Sequence, residues 1–240
     1  CGATFENAKL KFVAGSLHRA QPPRVVYDRK YGDASSAEML MAPQMEERGL
    51  FEYHLYDLGR STTIKNNEVK QLSLLEAEKV KAEKVYTYRG ARNAEVSIKF
   101  ENTEKNNMGM PLPEGIVRVM KKDKDGSFEF VGEDRIQHTP RDEKITLKVG
   151  DAFDLLGERT VTDSKSIGNH SSRETIQIIL KNRKDEDVTI DAVENLGFNT
   201  WEITNKSMDY EKKNASEIVF HVSVKARSEQ KVEYTVIRTW

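Results

Sequence analysis

The sequence predicts an all-β protein of two β-sandwich-like domains, the second immunoglobulin-like, with a long irregular loop near the N-terminus. Three observations carry this expectation. Apolar and polar residues alternate in short runs along most of the chain, the period of a strand with one buried face. Clusters of Asn, Asp, Gly, Ser and Pro bound the runs. In the C-terminal third the runs recur about every ten residues with no amphipathic helix between them, which is the spacing of a sandwich.

Taken in order, residues 4–14 read as a strand. Residues 26–49 have no period, and 28–48 are expected as a long exposed excursion holding Met39, Met41 and Met45. Loops of that length without structure are functional or disordered, and flexible thioethers suit an adaptable contact surface or tuck back onto the fold. Residues 68–84 are rich in helix formers. Their apolar positions fit neither period, and the alternation continuing through Tyr86 and Tyr88 favours a strand over a helix. Val96, Ile98 and Phe100 alternate, residues 116–120 and 128–131 flank a turn ending in Asp125-Gly126, and 145–149 and 153–162 follow. An Asp-Gly pair between alternating runs is a strong hairpin cue.

Farther along, Ile176, Ile178 and Leu180 face Val188, Ile190 and Ala192 across the polar residues 182–187, which reads as one hairpin. Trp201 and Ile203 open a short strand, and the runs at 218–224 and 232–240 read as a second hairpin. The expected division is a β-sandwich-like domain over 1–160, incomplete at its N-terminal edge, and an immunoglobulin-like sandwich over 161–240.

Composition limits the function. The 240 residues are 37% hydrophobic and 32% charged, too apolar for a disordered chain and too charged for a membrane protein. Lys and Arg number 38 against 39 Asp and Glu, so the clustered positive charge of a general nucleic-acid binder is missing. No apolar run approaches the roughly 20 residues of a membrane span. Cys1 is the single cysteine and forms no internal disulfide. Cys1-Gly2 fits the lipidated start of a bacterial lipoprotein, and it equally fits a fragment that happens to begin at a cysteine.

Catalytic signatures are scarce. No phosphate-binding glycine loop, dinucleotide fingerprint, zinc-protease helix or nucleophile elbow occurs. The five histidines are scattered, with no pair at i,i+2 or i,i+4, so no single element offers two metal ligands. Asp123-Lys124-Asp125-Gly126 lacks the acids of a calcium loop at positions 121 and 132, which are Lys and Gly. The best local constellation is Glu52, His54 and Tyr56, which share one face of a strand. A carboxylate beside an imidazole can do acid–base work or hold a metal. The plainer expectation is a solvated polar face with Phe51, Tyr53 and Leu55 turned to the core. Trp201 and Trp240 read as core or sheet-edge residues before they read as ligand platforms. No cofactor is expected.

Several stretches together resemble one family. They are residues 112–119 (LPEGIVRV), Asp125-Gly126, residues 130–134 (FVGED), His138-Thr139-Pro140, residues 149–154 (VGDAFD), Glu158-Arg159, Lys181-Asn182-Arg183 and Trp201-Glu202-Ile203. Residues 5–10 with 13–15, and 53–58, extend the likeness over essentially the whole chain. In order and spacing they are similar to the C-terminal conserved domain of unknown function of bacterial mucoidy inhibitor A-like proteins. The resemblance implies a bacterial, extracytoplasmic protein with no established enzyme activity and no catalytic residues to carry over. Such proteins have a further β stretch ahead of the point where this chain begins, which supports the fragment reading of Cys1.

The expected function is therefore non-catalytic: a periplasmic or cell-surface β-sandwich protein making protein–protein or cell-envelope contacts. The contact residues expected are Glu52, His54, Tyr56 and the methionines Met39, Met41 and Met45. A homo-oligomer, or a missing N-terminal β segment, are further partners the sequence allows; nucleic acid and a transmembrane segment are not expected. The alternatives are a carbohydrate-binding sandwich and, behind it, an unrecognised hydrolase.

Overall fold

A computed structural model describes residues 2–15, 45–197 and 200–240. Cys1, Met39, Met41 and most of the expected 28–48 loop lie outside the described residues. The described chain is all-β. Its strands are β1 (Phe5–Ala14), β2 (Glu46–Leu50), β3 (Tyr53–Ile64), β4 (Ala82–Tyr88), β5 (Asn93–Glu101), β6 (Gly115–Lys122), β7 (Phe128–Ile136), β8 (Lys144–Gly168), β9 (Ser171–Asn182), β10 (Val188–Asn195), β11 (Thr200–Lys206), β12 (Glu211–Lys212), β13 (Glu217–Val224) and β14 (Glu229–Thr239).

The chain forms two compact units, but they do not divide at residue 160. The first comprises residues 1–81, 101–115 and 136–145, and the second 82–100, 116–135 and 146–240. Position 160 falls inside β8, a single strand of 25 residues. Strand β8 fuses the two runs expected at 145–149 and 153–162. Periodicity locates strands but not their neighbours, and β4 and β5 belong with the C-terminal strands because β4 pairs in parallel with β10.

In the second unit nine strands form one sheet in the order β11-β14-β9-β8-β5-β4-β10-β13-β12 among the described residues. The sheet curls so that its two halves share a core. Ile176, Ile178 and Leu180 of β9 and Val232, Tyr234 and Val236 of β14 lie in one cluster with Ile190 and Ala192 of β10 and Ile218, Phe220, Val222 and Val224 of β13. The rings of Phe220 and Tyr234 sit 5.4 Å apart across it. Each such side chain contributes about 1.5–3 kcal/mol by leaving water. The alternation read from the sequence is thus real, yet neither expected hairpin forms. Strand β9 lies between β14 and β8, β10 between β4 and β13, and β13 and β14 are not neighbours. The polar connections after β9 and β13 cross from one half of the sandwich to the other.

Asn182 ties those two crossings together. It is fully buried, and its side-chain amide donates to the carbonyls of Glu186, Val224 and Lys225 at 2.8, 3.2 and 3.1 Å. A second buried polar group holds the middle of the sandwich. Arg159 Nε donates to both oxygens of Glu194 at 3.1 and 2.9 Å, and the Tyr234 hydroxyl donates to the same carboxylate. At the open side, β11 and β12 are the sheet's two edges, and Trp201 bridges them. Its indole N–H donates to the Ala215 carbonyl at 2.7 Å, and the Lys212 ammonium lies 4.6 Å above the ring.

The remaining strands of this unit, β6 and β7, form a separate two-stranded ribbon. The Asp125-Gly126 cue is fulfilled there: the Gly126 N–H donates to Asp123 and the Asp123 N–H to Ser127, with Gly126 at φ 93°.

The first unit contains a three-stranded sheet, β1-β3-β2. Its small core is Met45, Tyr56 and Leu58, packed against Leu10, Ala14, Leu72, Leu74 and Leu75. Residues 68–81 are neither strand nor helix. Their leucines serve instead as an irregular cover for this core, which explains why they satisfy neither period.

Candidate functional site

Of the residues singled out from the sequence, Glu52, His54 and Tyr56 meet in the first unit, with altered roles. Antiparallel pairing sets Glu47 opposite Tyr56 and Gly49 opposite His54, so Glu47, His54 and Tyr56 share a face. Glu47 supplies the carboxylate beside the imidazole, at 2.8 Å from His54 Nδ1. Glu52 sits in the exposed turn before β3. Tyr56 is not a solvated polar residue: it is 1% exposed and donates its hydroxyl to the Pro111 carbonyl at 2.6 Å. Burial, and after it the Glu47 carboxylate, push that hydroxyl up to about 12. Phe51, expected in the core, is 90% exposed, whereas Leu55 is buried as expected. Met45, expected either as a contact residue or tucked back onto the fold, is buried, and the residues after it enter β2.

Glu52, His54 and Tyr56 line a cavity of about 260 Å³ together with Pro111, Leu112, His138 and Pro140. A neighbouring cavity of about 530 Å³ shares Ala14, Gly15, Tyr56 and His138 and is also lined by Phe12, Leu72 and Leu74. Segment 136–145 reaches the site through a single bridge between Leu112 and Thr139. It is held by Asn102, whose buried amide donates to Met110 and Pro140 and whose carbonyl accepts the Gly109 N–H.

The polar groups here are already engaged. Glu47 accepts from His54 and also from Arg141, at 3.3 Å. His138 accepts the Glu114 N–H at Nδ1, 3.1 Å away, so a neutral ring carries its proton on Nε2. No serine, threonine or cysteine appears in hydrogen-bond contact with either imidazole among the described residues, so the nucleophile–base pairing of covalent catalysis is not assembled. No three His, Cys, Asp or Glu side chains are grouped to hold a metal ion among the described residues. Nothing in the sequence pattern marks Arg141, Glu47 and His138 as residues of this site, because they come from segments that only the fold brings together.

Comparison with family models, curated proteins and solved structures finds no match for this chain. No helix among the described residues is long and apolar enough to cross a membrane.

In the second unit the ribbon β6–β7 carries several exposed large apolar side chains. Ile116, Met120, Phe128 and Phe130 are 63, 47, 65 and 56% exposed. The turn hydrogen bonds between Asp123 and Ser127 place Met120 and Phe130 three steps back on each strand, on one face. Along β6 the exposed positions alternate with half-buried Val117 and Val119. Trp201, the sequence's candidate sugar platform, has its N–H bonded and one face covered by Lys212.

Proposed function

We propose that this is a non-catalytic, extracytoplasmic bacterial binding protein that makes protein–protein contacts through the outer face of its β6–β7 ribbon. The observation that carries the reading is the gathering of Ile116, Met120, Phe128 and Phe130 on one exposed face. Such clusters mark interaction sites more often than scattered surface hydrophobes do. The first unit's cleft supports the same reading, since Glu47, His54, Tyr56 and His138 bond one another, Arg141 or the backbone. The sugar-binding alternative is weakened by the engagement of Trp201. An immunoglobulin-like kinship for the C-terminal strands, and a place in the periplasm or at the cell surface, rest on strand spacing and on the resemblance to the mucoidy inhibitor A-like domain.

A photo-crosslinking residue at position 130 tests the proposal in the native host. It should trap a defined partner that is lost when Ile116→Ser/Phe128→Ser is added, while thermal unfolding is unchanged. Equal trapping by that variant counts against the face.

A further inference from the structure

We propose that the free edge of β6 takes up an extended acidic segment of a partner protein by strand addition; this rests on the reading of the ribbon as a contact surface. Among the described residues strand β6 has a single neighbour, β7. One face of β7 lies close to β8: a Cβ on Gly132 would lie 2.2 Å from the Val149 carbonyl oxygen. The side of β6 away from β7 is an open edge among the described residues. The Asp123 N–H points inward, to Ser127. By the strand's period of two, the amides of 117, 119 and 121 also face β7, and those of 116, 118, 120 and 122 face outward.

Charge decides which strand fits there. From Gly115 to Lys122 the strand carries Arg118, Lys121 and Lys122 and no acid. Lys121 and Lys122 make no ion pair among the described residues, and Arg118 bonds the exposed Glu133. A second copy of β6 would set cation against cation, which cross-strand geometry disfavours. Lysines on an edge guard against self-pairing in this way. The same cations favour an incoming strand with glutamate or aspartate at alternate positions. Its apolar residues would extend the rows of Ile116 and Met120 on the outer face and of Val117 and Val119 on the inner one. Main-chain bonds supply affinity and the charges supply selection, as in other strand-addition complexes.

The probe is a synthetic peptide of alternating glutamate and valine, with a lysine–valine peptide as control. Amide hydrogen exchange of the full chain should show slowed exchange at Arg118, Met120 and Lys122 with the acidic peptide and none with the basic one. Met120→Pro removes an outward amide and should abolish this protection while the inward β6 amides stay protected. Arg118→Glu/Lys121→Glu/Lys122→Glu should weaken acidic-peptide binding about tenfold, the sum of three cross-strand charge contacts, and admit the lysine peptide instead. Protection by both peptides alike, or by neither, overturns the proposal. If neither protects but the position-130 crosslink still depends on Ile116 and Phe128, the edge fails and the face survives.

Discussion

Asn182 shows how much a single side chain can organise when it is buried and fully used. Its amide meets three carbonyls, from residues on both crossing connections, and its carbonyl accepts the Lys184 N–H at 3.0 Å. Asn182→Ala leaves those groups without this partner and should cost about 1–3 kcal/mol in urea unfolding. Asn182→Asp should cost more, because a carboxylate oxygen then faces carbonyl oxygens; a milder effect for Asp than for Ala would refute this account. At this scale the sequence was legible only in part. Glu52, His54 and Tyr56 do line one cavity, but sequence proximity picked the wrong acid. The carboxylate that reaches His54 is Glu47, seven residues earlier and across the β2–β3 pairing.

Elements were easier to find than to pair. Strands β9, β10, β13 and β14 announce themselves through alternation, and their inward positions are buried as expected. Their partners are another matter, since a polar connection of a few residues serves a hairpin or a crossing between sheet halves equally well. Strand β12 illustrates a pairing that rests on charge. His221 of β13 is 2.7 Å from Asp191 of β10 and 3.1 Å from Glu211 of β12, and Lys213 bonds Glu211 from the next residue pair. The hydrogen bond to Asp191, then that to Glu211, hold the imidazole above its ordinary value. A raised value means the stabilisation is present at low pH and is lost as pH climbs through the folded-state value. The stability gap between wild type and His221→Gln should therefore narrow as pH rises from the ordinary histidine range through the raised folded-state value. A gap that widens with pH would rule out the ion-paired histidine as its source.

At the level of the whole chain, the all-β character was readable from composition and period, whereas the domain division was not. Two insertions of sequence, 101–115 and 136–145, belong with the N-terminal unit although they interrupt the C-terminal one. Nothing in alternation marks such a return, because a strand's local pattern reports only that one face is buried. Asn102 and Asn106, which are buried within those segments, look like ordinary turn residues in the sequence.

The bridge made by Trp201 between β11 and β12 also gives the molecule an optical probe. The chain has two tryptophans, and Trp240 is 59% exposed. In a Trp240→Phe variant, all indole fluorescence comes from a ring held against an ammonium group and a carbonyl at the sandwich's open side. Denaturant should shift and brighten or dim that emission when the two edge strands part. If the change precedes the loss of far-ultraviolet circular dichroism, the edges open before the sheet melts; coincident curves mean that they part together.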